Sequence, residues 1–184
     1  MKTIKDLRQN AELNLCESCF QKYKMLIEPT IREWLSKPLS DWSEVESLVT
    51  RMVMKKKGVF KGKMIFISLD EDSNEKYSDE VDVKAFQKIK KWGFKHKIDY
   101  LHENGILQDS SYRFLDKVRE VRNRIHDESA QFSEQDRILF HLANVVTNQI
   151  YFVTMNGLGE NISNNLKSNA EKFSEQCLLE LNYK

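Results

Sequence analysis

Residues 118–129, VREVRNRIHDES, place Arg119, Arg122, Asn123, Arg124 and His126 within eight positions. An imidazole titrates near neutrality and can take or give a proton. A guanidinium is planar and always charged, and its fork suits phosphate oxygens and the charge that grows in a transition state. An asparagine can hold a phosphate or a 2′-hydroxyl, or orient the histidine. Together these groups suit phosphodiester chemistry. The plainer alternative is a solvated helix face. Glu120, Asp127 and Glu128 stand nearby, and exposed ion pairs are ordinarily weak. Arginine beside histidine adds like-charge repulsion, however, so stability alone does not explain the choice.

These residues need a helix to position them. On a wheel of about 100° per residue, Phe114, Val118, Val121 and Ile125 fall within roughly 60° and form a core-facing stripe. Arg119, Arg122, Asn123 and His126 fall on a separate arc of roughly 100° beside it. Arg122 and His126 are i, i+4 neighbours, as are Arg119 and Asn123. Tyr112 lies on the same arc, where it lines the site or packs into the core or an interface. Asp109 or Ser110 can cap this helix.

The flanking sequence reads as further helices. Thr3 and Asp6 suit a helix start, and Ile4, Leu7, Ala11, Leu15, Tyr23, Leu26 and Ile27 continue the pattern toward Pro29, which kinks or ends it. Ile31, Trp34 and Leu35 make a short piece up to Pro38. Ser43 and Glu46 form a capping-box pattern ahead of Val45, Leu48, Val49, Met52 and Val53. Val83, Phe86 and Ile89 mark another helix, and Phe94, Ile98 and Leu101 the next, with Gly105 at its C-terminal end. Ser133 is an N-cap with Glu134 and Asp136 in the first turn. Ile138, Leu142, Val145, Val146, Gln149, Ile150 and Val153 trace that helix toward Gly157. Ile162, Leu166, Ala170, Phe173, Cys177 and Leu181 mark a last helix over about 160–182.

Residues 55–82 differ. KKKGVFKGK (55–63) is basic, MIFISL (64–69) is a short apolar run, and residues 70–82 hold seven acids and one lysine. This is an irregular or hairpin excursion, with the acidic part expected to be mobile. Lys55, Lys56, Lys57, Lys61 and Lys63 can touch phosphates or neutralise the acids that follow. Apart from Phe60 no stacking aromatic is interleaved among them, which favours a solvated, charge-neutralising use. The expected fold is therefore all-α: a single-domain bundle of six or seven mostly antiparallel helices, with a small excursion near 55–82.

Composition narrows the partners. The chain has 184 residues and a formal net charge of +1, so nucleic acid must be held by local patches rather than by a global field. Cys16 and Cys19 form a lone CxxC without a second pair or clustered histidines, and Cys177 leaves the count odd, so neither a zinc site nor a disulfide framework is expected. No metal or cofactor is expected. No stretch approaches the roughly 18–20 apolar residues of a membrane span, and MKTIKDLRQN lacks the apolar core of a secretory signal. A cytoplasmic protein without membrane contact is expected. His96 reads as a solvated residue of a lysine-rich helix. His102 sits near a helix end that favours positive charge. His141 follows the motif on the next helix and can approach the same cleft.

RNRIH (122–126), with FKHKIDYLHENGILQDSSYRFLDKVRE before it and FSEQDRILFHLANVV after it, resembles a HEPN-superfamily domain over roughly residues 83–155. The resemblance implies a small all-α bundle whose arginine and histidine cleave RNA without a metal, usually with two protomers lining one cleft. By motif, Arg122 and Asn123 take the arginine and polar positions and His126 the histidine position. From Arg122 the spacing is Arg-x3-His; from Arg119 it is Arg-x6-His, so either arginine can be the working one. Arg119, Arg122, Arg124 and Tyr112 are the implied RNA contacts. An antitoxin or sensor protein is a further implied partner. The region also resembles, more faintly, the mannitol operon repressor family, whose members are regulators. That resemblance implies a non-catalytic dimerising or partner-binding module.

Overall fold

The structure is a computed structural model that describes residues 14–17, 19–21, 38–59, 67–69, 75–77, 81–127, 133–156 and 158–180. The helix expected from Thr3 to Pro29 falls mostly outside these residues. So do the piece at Ile31, Trp34 and Leu35, Lys61 and Lys63, the Gly157 stop and Leu181.

The described chain is helical apart from one small ladder. In order it runs α1 (Pro38–Lys56), β1 (Ile67–Leu69), β2 (Glu75–Tyr77), α2 (Val83–Lys90), α3 (Phe94–Glu103), α4 (Asp109–Asp127), α5 (Glu134–Asn156) and α6 (Glu160–Glu180). The strands pair antiparallel with Ile67 opposite Tyr77 and Leu69 opposite Glu75. The described part of the expected excursion thus includes an antiparallel strand pair, whose second strand comes from the acidic run. Its base is closed where the Asp82 amide donates to the Val59 carbonyl at 3.0 Å.

α5 is the centre of the bundle, packed against α1, α4 and α6. Leu139, Phe140, Leu142, Ala143, Val145 and Val146 are fully buried, so the helix is covered nearly all round. Residues Gln135–Asn156 are also long and apolar enough to cross a membrane by length and composition. Asn144, Asn148 and Gln149 interrupt its apolar residues, so it does not read as one unbroken apolar run. Two thirds of the apolar window is buried inside the bundle, which accounts for its apolarity as core packing. Trp42 of α1 joins this core by packing on Phe94 of α3 and Phe140 of α5, with ring centroids 4.5 and 6.0 Å apart.

Buried polar groups on α5 are mostly paired, as burial requires. The fully buried Gln149 accepts from the Cys16 amide at 2.8 Å and donates to the Asn14 carbonyl at 2.8 Å, tying the N-terminal segment to the bundle. Asn144 donates to Glu44 at 2.7 Å and to Asp41 at 3.3 Å across the seam with α1.

Two helix starts differ in how they were legible. Ser133 and Asp136 form a reciprocal cap: the Asp136 amide donates to Ser133 Oγ at 3.1 Å, and the Ser133 amide to Asp136 Oδ2 at 3.0 Å. The capping pattern at Ser43 and Glu46 does not start α1, which begins at Pro38. Proline is pre-set for the first helical position, so the helix opens earlier and Ser43 lies inside it. Gly105 does end α3, with φ +69° in the left-handed region that glycine tolerates.

Candidate functional site

α4 buries Phe114, Leu115, Val118, Val121 and Ile125. Four of these are the expected stripe. Leu115 is not: its wheel position falls between those of Arg122 and Arg119. The polar arc is therefore interrupted by core beside Arg122, and its N-terminal and C-terminal ends along the helix face different surroundings.

The end that carries Tyr112 and Arg119 is covered by α3. Arg119 Nε donates to Asp116 Oδ1 at 2.6 Å, and Lys95 Nζ of α3 donates to Asp116 Oδ2 at 3.0 Å. Lys95 also pairs with Asp99 at 3.2 Å and donates to the Tyr112 hydroxyl. The Tyr112 hydroxyl in turn donates to Asp99 at 2.8 Å. Burial works against the charge on Asp116, but the hydrogen bonds and charges of Arg119 and Lys95 outweigh it and hold its carboxyl below the usual range. Desolvation likewise opposes the Lys95 ammonium. Its bonds to Tyr112, Asp116 and Asp99 prevail and hold it above the ordinary lysine value. His102 closes the cluster, stacked on Tyr112 at 4.5 Å and 2.8 Å from Asp109. Arg119 and Tyr112 thus belong to a compact α3–α4 network in which the cations face carboxylates.

The other end holds Arg122, Asn123 and His126. Arg122 and Asn123 are half-buried, and His126 is exposed in the last turn. The Arg122 guanidinium donates to Asn123 Oδ1 at 3.4 Å. It meets no carboxylate among the described residues. Arg124 is not part of this group. It lies on the far side of the helix, where Nη2 donates to the buried Asp136 of α5 at 3.1 Å. His141 turns to α1, with Nδ1 3.5 Å from Asp41 Oδ2.

The start of α4 is fixed from α6. Glu171 accepts from the Ser110 and Ser111 amides and from Ser111 Oγ, the last two at 2.9 and 3.0 Å. A carboxylate at a helix N-terminus satisfies orphan N–H groups and complements the dipole. This cap comes from 60 residues downstream, so no local pattern signals it.

The three cysteines are free thiols. Cys19 and Cys177 are buried, and burial pushes the Cys177 thiol well above its ordinary range. Among the described residues no group of three His, Cys, Asp or Glu side chains is arranged to hold a metal. Comparison with known proteins returned no matching family model, no matching curated protein and no matching solved structure.

Proposed function

We propose that the C-terminal half of α4 is the working face of a metal-independent endoribonuclease of HEPN type. The observation that carries this reading is the state of Arg122. It is the half-buried arginine one helical turn before the exposed His126, and no carboxylate neutralises it among the described residues. This supports taking Arg122 rather than Arg119 as the working arginine of the proposal.

In the proposed reaction the RNA 2′-hydroxyl attacks the adjacent phosphorus and the bond to the 5′-oxygen breaks. The products are a 2′,3′-cyclic phosphate and a 5′-hydroxyl. His126 takes the proton from the 2′-oxygen or delivers one to the leaving 5′-oxygen. Arg122 neutralises the crowded phosphate, and Asn123 positions the substrate or His126. The need for a 2′-hydroxyl makes RNA the substrate rather than DNA. A homodimer that pairs two α4 faces about a two-fold axis doubles the positive charge in one cleft. It thereby offsets the near-zero net charge of the chain. A cytoplasmic toxin, defence or stress-response role fits such an activity, with an antitoxin or sensor as partner.

Incubating a mixed RNA pool in EDTA with wild type, Arg122→Ala and His126→Ala tests this. Wild type alone should cut. RNA left intact by all three, or cut equally by all three, removes the catalytic reading.

A second reading draws on a different observation. Arg119 and Arg124 are both held by aspartates, as in a face used for packing rather than for phosphate. That favours a non-catalytic HEPN-like module that dimerises or binds a partner, as the fainter resemblance implies. Over-expression separates the two. A ribonuclease should arrest growth and the Arg122→Ala/His126→Ala variant should not, whereas a binding module should be silent in both forms.

A further inference from the structure

Away from the α4 face, one surface combines flat rings with exposed cations. Trp92 lies in the turn between α2 and α3. The His96 imidazole stacks on it with centroids 4.0 Å apart and planes 4° from parallel. Tyr100, one turn further along α3, meets Trp92 edge-on at 5.9 Å. Lys57, just past the end of α1, sets its ammonium 4.2 Å from the Tyr100 centroid and 5.1 Å from that of Trp92. The ammonium has no carboxylate partner among the described residues. Lys55 and Lys56 precede it and Lys91 precedes Trp92, and all three are exposed.

His96 is exposed although one of its faces lies against Trp92. Its exposure therefore belongs to the ring edge and the other face, so the two-ring stack ends in a polar-edged ring open to solvent. We infer that this Trp92–His96 stack, rimmed by Lys57 and its neighbouring lysines, binds single-stranded nucleic acid, with a base on the His96 ring and the backbone phosphates on the lysines. The chemistry selects that partner. Unpaired bases stack on aromatic rings whatever their sequence, and lysines track the phosphates between them. An acidic peptide satisfies the lysines but has no flat face for the imidazole, and a duplex keeps its bases inside. The inference goes beyond the cleavage reading and does not depend on it. DNA lacks the 2′-hydroxyl, so binding can be measured where that cleavage is impossible.

The test is fluorescence anisotropy of the full-length chain with labelled oligouridylate and oligothymidylate. Strands of about twelve nucleotides are within the usual reach of one such surface. Wild type should bind both strands, and added salt should weaken the binding. His96→Ala is a surface change and should leave the fold intact by circular dichroism. It should weaken binding at least about fivefold, the lower end of what one stacked base contributes. His96→Tyr keeps a ring and should stay within about twofold of wild type. Lys57→Gln should weaken binding and reduce its salt dependence. Four results overturn the inference: no binding of either strand by wild type at low salt; equal binding by wild type and His96→Ala; loss in His96→Tyr as large as in His96→Ala; or equally tight binding of polyglutamate.

Discussion

Replacing Asp116 by asparagine removes the anion that holds α3 to α4, and the loss can be sized from its two contacts. Arg119 Nε sits 2.6 Å from the carboxylate and both side chains are 23% exposed. A charge-assisted hydrogen bond of that kind contributes about 1.5–3 kcal/mol, and the partial exposure puts this one near the lower figure. Lys95 is 42% exposed, so its bond counts as a screened pair worth about 0.5 kcal/mol. Asp116→Asn should therefore destabilise the protein by about 2 kcal/mol, or about 4–8 °C in Tm for a chain of this size. The pH dependence gives a second, independent signature. The carboxyl of Asp116 titrates below its ordinary value of 3.8 in the folded protein, so the unfolded chain binds the proton first on acidification. The contribution is fully present above that ordinary value and is lost as pH falls through the folded one. Urea unfolding followed by circular dichroism at pH 7 and at stepped pH below 4 reads both. The wild type and the asparagine variant should differ at neutral pH and converge in acid. A loss under about 0.5 kcal/mol, or a difference that persists unchanged into strong acid, would refute the account of the network.

Three further outcomes can be checked by the same unfolding measurements. Glu171→Ala leaves the Ser110 and Ser111 amides at the start of α4 without their acceptor and should lower stability by about 1–2 kcal/mol. The Thr147 hydroxyl is buried without a hydrogen-bond partner among the described residues. Thr147→Val keeps the shape and should raise stability by about 1 kcal/mol, so a loss would show that the hydroxyl has a partner. Lys97 is buried on α3; desolvation lowers its pKa against the opposing charge of Glu46. The folded state thus holds its proton less tightly than the unfolded chain does. Lys97→Met should stabilise by about 1–2 kcal/mol near neutrality, and the gain should shrink as pH rises toward the ordinary lysine value of 10.5.

Periodicity exposed the apolar stripe of α4 and the central helix because both follow from which residues water rejects. Caps made by neighbours in sequence were equally readable, as at Ser133 and Asp136 or at Gly105. What stayed hidden was the identity of the neighbour that covers a half-polar face. Leu115 looks like part of a polar arc until α4 is packed, and Arg119 looks available until Lys95 arrives from α3 with Asp116 between them. Arg124 reaches Asp136 across a helix boundary, and Glu171 reaches Ser110 and Ser111 from α6. The stack of His96 on Trp92 had a local signal in their i, i+4 spacing within WGFKHKIDY. Its companion Lys57 did not, because only the packing of α1 against α3 brings that lysine to the rings. The basic run at 55–57 read as solvated for want of aromatics in its own sequence, and the fold supplies them from elsewhere.

The same packing orders the charges of α4. Three arginines within six residues form a dense cationic turn in the sequence, yet two are consumed at opposite sides of the helix, by Asp116 and by Asp136. Arg124 ties α4 to α5, and Asp116, which holds Arg119 within α4, ties α4 to α3 through Lys95, so these contacts fix the rotation of α4. They thereby set where Arg122 and His126 emerge. On this view Arg119 and Arg124 are positioning residues, and the asparagine variant at Asp116 separates that role from phosphate binding. If Arg119 only orients α4, its release loosens the helix, and the proposed RNA cleavage should fall along with stability. If Arg119 is a phosphate ligand restrained by Asp116, its release adds a free cation beside Arg122, and RNA affinity rises while stability falls. Measuring both quantities on the one variant distinguishes these cases, because the two accounts predict opposite signs for the effect on RNA and the same sign for the effect on the fold.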